Sequence, residues 1–97
     1  MMTKAADINP NVASIQANLG ATYASSGEFQ KAIGPLEKAL SLCGRDDPII
    51  NLNLAIIYFE LKKYDMAWKH ARKAERMRNP QAGNLIKELK RVSKEPE

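Results

Sequence analysis

An internal repeat restricts the possible folds of this 97-residue chain more than any other feature. Shifting the sequence by 35 residues places Leu19 on Leu54, Tyr23 on Tyr58 and further small and aromatic residues on like ones. Repeats with periods of about 20–50 residues are typical of solenoids, in which one supersecondary unit is stacked on the next. The chain length allows one modest domain. The repeat therefore predicts a short stack of similar helical units.

Three Asn/Asp–Pro pairs predict where helices begin: Asn9-Pro10, Asp47-Pro48 and Asn79-Pro80. An Asn or Asp side chain caps the free amides of a first turn, and proline fits the first helical position. The first unit is expected to turn at Gly27 and to continue as a second helix over 28–42, bent at Pro35.

These signals divide the chain into one domain over residues 9–93 with a flexible N-terminus over 1–8 and a flexible tail over 94–97. Within the domain we predict a first repeat over about 13–47, a second over about 48–80 and a capping helix over about 80–93.

Apolar spacing predicts the core-facing side of each helix. On the first and last helices the expected inward residues are Val12, Ile15, Leu19 and Tyr23, and Leu85, Ile86, Leu89 and Val92. The stretch 48–61 carries two apolar stripes instead of one. Such a helix has neighbours on both sides or leaves an apolar surface open.

The order Leu-Gly-x-x-Tyr, Gly-x-Phe-x-x-Ala and Leu-x-x-Ala, which begins at Leu19, resembles the tetratricopeptide repeat over about residues 13–80. The step is one residue longer than usual, and Gln16 and Asn51 stand where an aromatic residue is common. The resemblance implies an all-α fold, an alpha-alpha superhelix (helical-hairpin solenoid) of about five helices. It also implies a non-enzymatic scaffold for protein–protein interaction.

The resemblance further implies a concave groove, lined by the first helix of each pair, that binds a peptide or a helix of a partner. The implied groove residues are Ala17, Ala21, Ala24, Ile49, Leu52, Ile56, Phe59, Asn84, Lys87 and Arg91. Leu52, Ile56 and Phe59 are the expected apolar anchors, and Lys87 and Arg91 the expected basic contacts. A fitting partner has apolar residues and an acidic end.

Two alternatives for the apolar stripe remain open at this point. Ile49, Ile56 and Phe59 could be buried against a second copy of the chain in a homodimer. Alternatively, the groove narrows and the capping helix covers most of the stripe.

Charge is unevenly distributed: residues 1–60 sum to −2 and residues 61–97 to +6. Lys69, Arg72, Lys73 and Arg76 lie on one side of the predicted fourth helix, on the outer, convex face. Phosphate contacts are conceivable there, but no exposed aromatic residue accompanies them for base stacking, because Trp68 is expected in the core. We predict a solvated face and do not expect nucleic-acid binding.

No residue pattern indicates catalysis, a cofactor or a metal, since Cys43 and His70 are the only cysteine and histidine. No apolar run approaches the roughly 20 residues that cross a bilayer, and the first residues lack the apolar core of a signal peptide. The expected location is the cytoplasm, provided that the N-terminus is native.

Overall fold

The structure, a computed structural model, describes residues 5–44 and 46–96, with side chains from Val12 onward. The described residues form five helices and no strand. The helices are α1 (Ala5–Ser25), α2 (Phe29–Cys43), α3 (Pro48–Glu60), α4 (Tyr64–Arg76) and α5 (Pro80–Val92). The all-α prediction is confirmed.

Two of the three predicted caps form. The Asp47 carboxylate accepts hydrogen bonds from the backbone amides of Ile49 and Ile50 at 2.9 and 3.0 Å, and Pro48 follows it in the first turn of α3. Asn79 caps α5 in the same way by accepting from the amide of Gln81 at 2.9 Å. These caps satisfy amides that have no partner within the helix.

The third predicted start is wrong, because α1 begins at Ala5 instead of at Asn9-Pro10. Pro10 lies within the helix, where it removes one backbone hydrogen bond without ending the helix. Ala5 and Ala6 upstream have the highest helix propensity of any residue type. Of the N-terminal segment predicted to be flexible, residues 5–8 are helical and residues 1–4 lie outside the described residues.

The helices stack in chain order as an elongated solenoid. Helix α1 pairs with α2 and α3 with α4, while α2–α3 and α4–α5 contacts join the units. The molecule measures 49 × 27 × 21 Å along its principal axes. A single large cluster that includes Leu36, Leu54, Trp68 and Leu89 runs through the stack.

The turns inside the two helix pairs adopt the same backbone conformation. Gly27, with φ of 82°, follows α1, and Lys62, 35 residues later with φ of 63°, follows α3. Gly44 ends α2 in the left-handed conformation. Pro35 lies within α2, which is continuous over Phe29–Cys43.

Three predicted inward residues are exposed: Ile15 and Leu19 on α1 and Val92 on α5. They lie on the two terminal helices of the stack, and a terminal helix has a neighbour on one side only. Ala13 and Gly20 are the buried positions on α1 instead. The apolar periodicity therefore predicts the helices correctly. It does not predict which face of a terminal helix is covered by other residues.

The segment after α5 folds back onto α4, although the sequence predicts a flexible tail. Glu95 accepts hydrogen bonds from the Arg72 guanidinium at 2.9 and 2.6 Å. Arg72 also lies over the Trp68 ring, 5.4 Å from its centroid. Glu97, the last residue of the predicted tail, lies outside the described residues.

Candidate functional site

The first turn of α3 exposes an isoleucine, Ile49, between two clefts. Ile49 is 65% exposed, although its backbone amide donates to the Asp47 cap and the next residue, Ile50, is buried in the core. The Asp47 cap stabilises this first turn of α3. Ile49 therefore lies on a capped helix turn, and it lines both of the clefts described next.

The first cleft separates α1 from α3 and has a volume of about 320 Å³. Ala13 and Ala17 line its α1 side, and Ile49 and Ile50 line its α3 side. The α1 residues are small, so a side chain of a partner can approach the helix backbone closely. Cys43, exposed and free, lies at the edge of this cleft.

The second cleft, of about 430 Å³, separates α3 from the connection between α4 and α5. Ile49, Met77 and Pro80 line it with apolar surface, and Arg78 adds a positive charge. Arg78 adopts the left-handed backbone conformation with φ of 65°, which turns the chain toward α5. The sequence analysis did not predict Met77 and Arg78 here, because only the tertiary placement of this connection brings them to the cleft.

Two expected apolar anchors are covered wholly or partly by neighbouring residues. Leu52 lines the second cleft but is only 5% exposed, because it packs against Ala74 of α4 and Ala82 of α5. Its role as an apolar anchor stays a prediction. Phe59 is half-buried and meets Tyr64 edge-to-face at 5.9 Å between ring centroids. The capping helix thus covers part of the stripe, because α5 lies against both α3 and α4.

Ile56 remains exposed two helical turns after Ile49, on the same face of α3. Among the groove residues on α1, Ala17, Ala21 and Ala24 are half-buried. On α5, Asn84, Lys87 and Arg91 are exposed, and the Arg91 guanidinium lies 3.6 Å from the Glu88 carboxylate. The predicted small, apolar and basic positions thus lie on α1, α3 and α5 in that order. That they form one groove stays a prediction.

The outer basic face on α4 is partly neutralised. Arg72 forms ion pairs with Glu75 and Glu95, and Lys73 lies 3.5 Å from Asp46. The hydrogen bonds from Arg72 lower the pKa of the Glu95 carboxyl group. Lys69 and Arg76 are exposed, and Trp68 is buried as predicted. The paired charges and buried ring weaken the case for a nucleic-acid site.

A buried polar pair joins α3 to α4. The Nδ1 atom of His70 donates to the Asn51 side-chain oxygen at 2.7 Å, and the Asn51 amide donates to the Asp47 carbonyl at 3.1 Å. Burial lowers the pKa of His70, and Glu37, 3.9 Å from Nε2, partly opposes this shift.

Beside this pair, the Tyr58 hydroxyl donates to Glu37 at 3.2 Å, and its ring stacks on the His70 ring at 5.7 Å. Burial and Glu37 raise the pKa of Tyr58. The polar group is structural, since it lies in the helix interface and not in either cleft. The sequence signal for this buried polar group is Asn51, a polar residue within the apolar stretch 48–61.

The described residues include neither a metal-binding cluster nor a helix that could span a membrane. No three His, Cys, Asp or Glu side chains in this part of the chain are grouped so that they could hold a metal ion. None of the described helices combines the length and the apolar character needed to cross a membrane.

Comparison with known proteins gives two matches to family models. One model, described as a tetratricopeptide repeat, matches residues 12–48, and a second with the same description matches residues 49–80. Together they span both helix pairs, from α1 to the cap of α5. No curated protein and no solved structure matches significantly.

Proposed function

Because the chain belongs to the tetratricopeptide repeat family, whose members are typically non-enzymatic protein-interaction modules, we propose that it binds a partner protein through its concave groove. The ligand is a peptide or helix whose apolar side chains contact Ile49 and Ile56. An acidic end of the same ligand contacts Arg78, Lys87 and Arg91.

The exposure of Ile49 between two clefts is the observation that carries this proposal. A β-branched apolar side chain at 65% exposure gains free energy when a partner covers it. The flanking clefts, lined by Ala13 and Ala17 on one side and Met77 and Pro80 on the other, can receive neighbouring apolar side chains. Ligand sites in proteins are concave and mostly apolar in this way.

The charges around the groove support an acidic ligand. Arg78 lines the second cleft, and Lys87 and Arg91 are exposed on α5. Asp47, at the edge of the first cleft, has its carboxylate engaged by two backbone amides. Complementary charge sets orientation and association rate more than affinity, so the apolar contacts are expected to dominate binding.

A peptide library displayed on phage tests the proposal. The wild-type chain is expected to select peptides with spaced apolar residues and an acidic end. Replacing Ile49→Asp together with Ile56→Asp is expected to weaken binding of a selected peptide at least about tenfold, since two apolar contacts of about 1 kcal/mol or more each are lost. Fluorescence anisotropy with the labelled peptide measures the change.

Leu42→Asp is the matched control, because Leu42 is as exposed as Ile56 but lies on α2 and lines neither cleft. It is expected to bind peptide like the wild type. If the variant with Ile49→Asp and Ile56→Asp keeps its helical content by circular dichroism and binds the peptide as tightly as the wild type, the proposed groove is rejected. Lys87→Glu with Arg91→Glu should weaken the same peptide and reduce the salt dependence of its affinity.

The cytoplasmic location and the absence of catalysis stay predictions. Self-association through the groove stripe also stays a prediction, and the burial of Leu52 reduces the surface available for it.

A further inference from the structure

The segment after α5 is held on α4 by the hydrogen bonds of one side chain, that of Glu95. Its two carboxylate oxygens accept from Nε and Nη2 of Arg72 at 2.9 and 2.6 Å. Within the described part of the chain, residues 94–96 make no other hydrogen bond to a helix. Paired hydrogen bonds between a planar guanidinium and a carboxylate add geometric specificity to the attraction of the charges. Arg72 is therefore already oriented to bind a carboxylate group.

Two neighbours hold Arg72 in this orientation. Its guanidinium lies 5.4 Å from the centroid of the buried Trp68 ring, and Nη1 donates to Glu75 at 2.8 Å. Stacking on an aromatic ring and a second ion pair restrict the guanidinium before any ligand arrives. Such preorganisation favours binding, because less side-chain freedom is lost when the ligand binds.

Two cavities adjoin the segment 93–96, and cations predominate in their lining. Their volumes are about 400 and 320 Å³, and Trp68 and Glu95 line both of them. The helix cations in the lining are Lys69, Arg72, Arg76 and Lys90. Among the described residues, Arg72 is the only one of these four that forms an ion pair. The other three are exposed and can contact a ligand.

The segment 93–96 does not neutralise this surface. The four helix cations face two helix carboxylates, those of Asp65 and Glu75. The segment adds one charge of each sign, on Lys94 and Glu95, so the excess of positive charge is the same in its presence. A ligand with several carboxylates and no cation is therefore a better electrostatic match than the chain's own segment.

The indole nitrogen of Trp68 is a second, independent sign that the surface lacks a ligand. Trp68 is 2% exposed, and its Nε1–H has no hydrogen-bond acceptor among the described residues. Buried indole nitrogens usually find a partner, because a buried donor without an acceptor costs free energy. Since Trp68 lines both cavities, a ligand with carboxylate or carbonyl oxygens offers this donor an acceptor.

We propose that the four helix cations and Trp68 form a binding site for an acidic segment of a partner protein. This outer site consists of Lys69, Arg72, Arg76, Lys90 and Trp68. Glu95 occupies Arg72 when the partner is absent and is displaced on binding. Displacement is feasible because the Arg72 and Glu95 side chains are 33% and 41% exposed, and exposed ion pairs contribute little stability. The outer site shares no residue with the groove, so its binding can be tested apart from that of the groove.

An acidic peptide fits the outer site better than a nucleic acid does. The group that occupies Arg72 is a carboxylate, and Ser93, where its segment begins, has an extended backbone with φ of −155° and ψ of 154°. Trp68, the one aromatic ring of the site, is buried and offers no exposed face for the stacking of bases. The chain's own segment is thus a template for an extended peptide that carries glutamate or aspartate.

Fluorescence of Trp68, the only tryptophan of the chain, tests the proposal. Titrating the whole chain with unlabelled hexaglutamate at low ionic strength is expected to give a saturable change in Trp68 emission, and hexaglutamine is expected to give none. Arg72→Gln should weaken this binding about fivefold or more. Glu95→Gln should strengthen it about two- to fivefold, because the exposed ion pair no longer competes with the peptide.

Each variant has a control with the same change of charge outside the site. Arg78→Gln removes a cation of the groove, and Glu88→Gln removes an exposed carboxylate of α5; neither residue lines the two cavities beside Trp68. Both controls should bind hexaglutamate within about twofold of the wild type, since exposed charges outside the site contribute little. Trp68 lines neither cleft of the groove, so a peptide bound only in the groove leaves the emission unchanged.

The proposal is overturned if neither the wild type nor Glu95→Gln gives a saturable change in emission. Equal binding by Arg72→Gln overturns it as well, as does a Glu95→Gln variant that binds no more tightly than Glu88→Gln. Tighter binding of oligothymidylate than of hexaglutamate, with the same dependence on Arg72, would assign the site to nucleic acid instead. Circular dichroism verifies folding, and Arg72→Lys, which keeps the charge without the paired hydrogen bonds, replaces Arg72→Gln if that variant unfolds.

Discussion

Gly20 of α1 lies against Leu36 of α2 with no room for a side chain. A Cβ atom added at Gly20 would lie 2.5 Å from the Leu36 Cγ atom and 3.1 Å from the Ala32 carbonyl oxygen. In the second repeat the positions 35 residues later hold Ala55 and Ala71. In the first repeat the large Leu36 on α2 thus faces the small Gly20 on α1, whereas two alanines occupy these positions in the second repeat.

We expect Gly20→Ala to lower the free energy of unfolding by about 1–3 kcal/mol, because overpacking displaces Leu36. In a Leu36→Ala background the same change should cost little or stabilise, since alanine is the better helix former. Urea unfolding of both single variants and the double variant measures this coupling.

Gly83→Ala is the matched control for Gly20→Ala. Gly83 also lies in a helix, but a Cβ there meets no atom within 4 Å. The change should raise stability by up to about 1 kcal/mol. Equal effects at positions 20 and 83 would contradict the close approach of α1 and α2.

The buried His70 makes stability depend on pH. Its pKa is below the usual value of 6.5, chiefly because of burial; Glu37 and Asp46 oppose the shift, and Lys73 and Lys69 add to it. The unfolded chain therefore binds a proton at a higher pH than the folded chain. We expect the free energy of unfolding to be highest above about pH 7 and to fall as pH decreases below 6.5.

Urea unfolding at several pH values measures this dependence. The double variant with His70→Phe and Asn51→Leu lacks both members of the polar pair. Its free energy of unfolding should change less than that of the wild type between about pH 7 and pH 5. Removing both avoids leaving the Asn51 oxygen without its donor. The same pH dependence in wild type and double variant would exclude His70 as its source.

At the level of secondary-structure elements, the turn between α3 and α4 has a strained backbone conformation, whereas the turn between α1 and α2 does not. Lys62 has φ of 63°, a conformation that glycine adopts freely at the equivalent Gly27. Lys62→Gly is expected to raise the free energy of unfolding by about 1 kcal/mol through relief of this strain. Thermal or urea unfolding measures the gain.

Lys63→Gly serves as the control for this turn. Lys63 has φ of −95°, close to the −92° of Glu28 at the equivalent position of the first turn, and this is an ordinary conformation for a residue with a side chain. Glycine there should be neutral or destabilising because it adds freedom to the unfolded chain. A gain at position 63 equal to that at 62 would argue against backbone strain.

At the level of the whole molecule, the short stack has two chemically different ends. Residues 12–25 of α1, at one end, include no charged side chain, whereas α5, at the other end, exposes Lys87, Glu88, Lys90 and Arg91. Between the two ends, Ile49 lies beside both clefts, which together make up the proposed groove.

The sequence alone predicts the helices, two of the three helix starts, the turns and the family, because these depend on contacts between residues close in the chain or on the repeat. Asp47 and Asn79 cap the helices that they precede, and Trp68 is buried as predicted. Ile49 and Ile56, predicted on one apolar stripe of α3, are both exposed, and their role in a groove stays a prediction.

Which apolar residues are covered depends on the tertiary structure. Ile15 and Ile50 are the same residue at the same repeat position, yet Ile15 is exposed and Ile50 is buried, because α2 packs on α3 and no described helix packs on the Ile15 side of α1. Leu52 is covered by α5, and Met77 and Arg78 line the second cleft through the α4–α5 connection. Local sequence encodes helices and turns, whereas burial depends on neighbours that are distant in the chain.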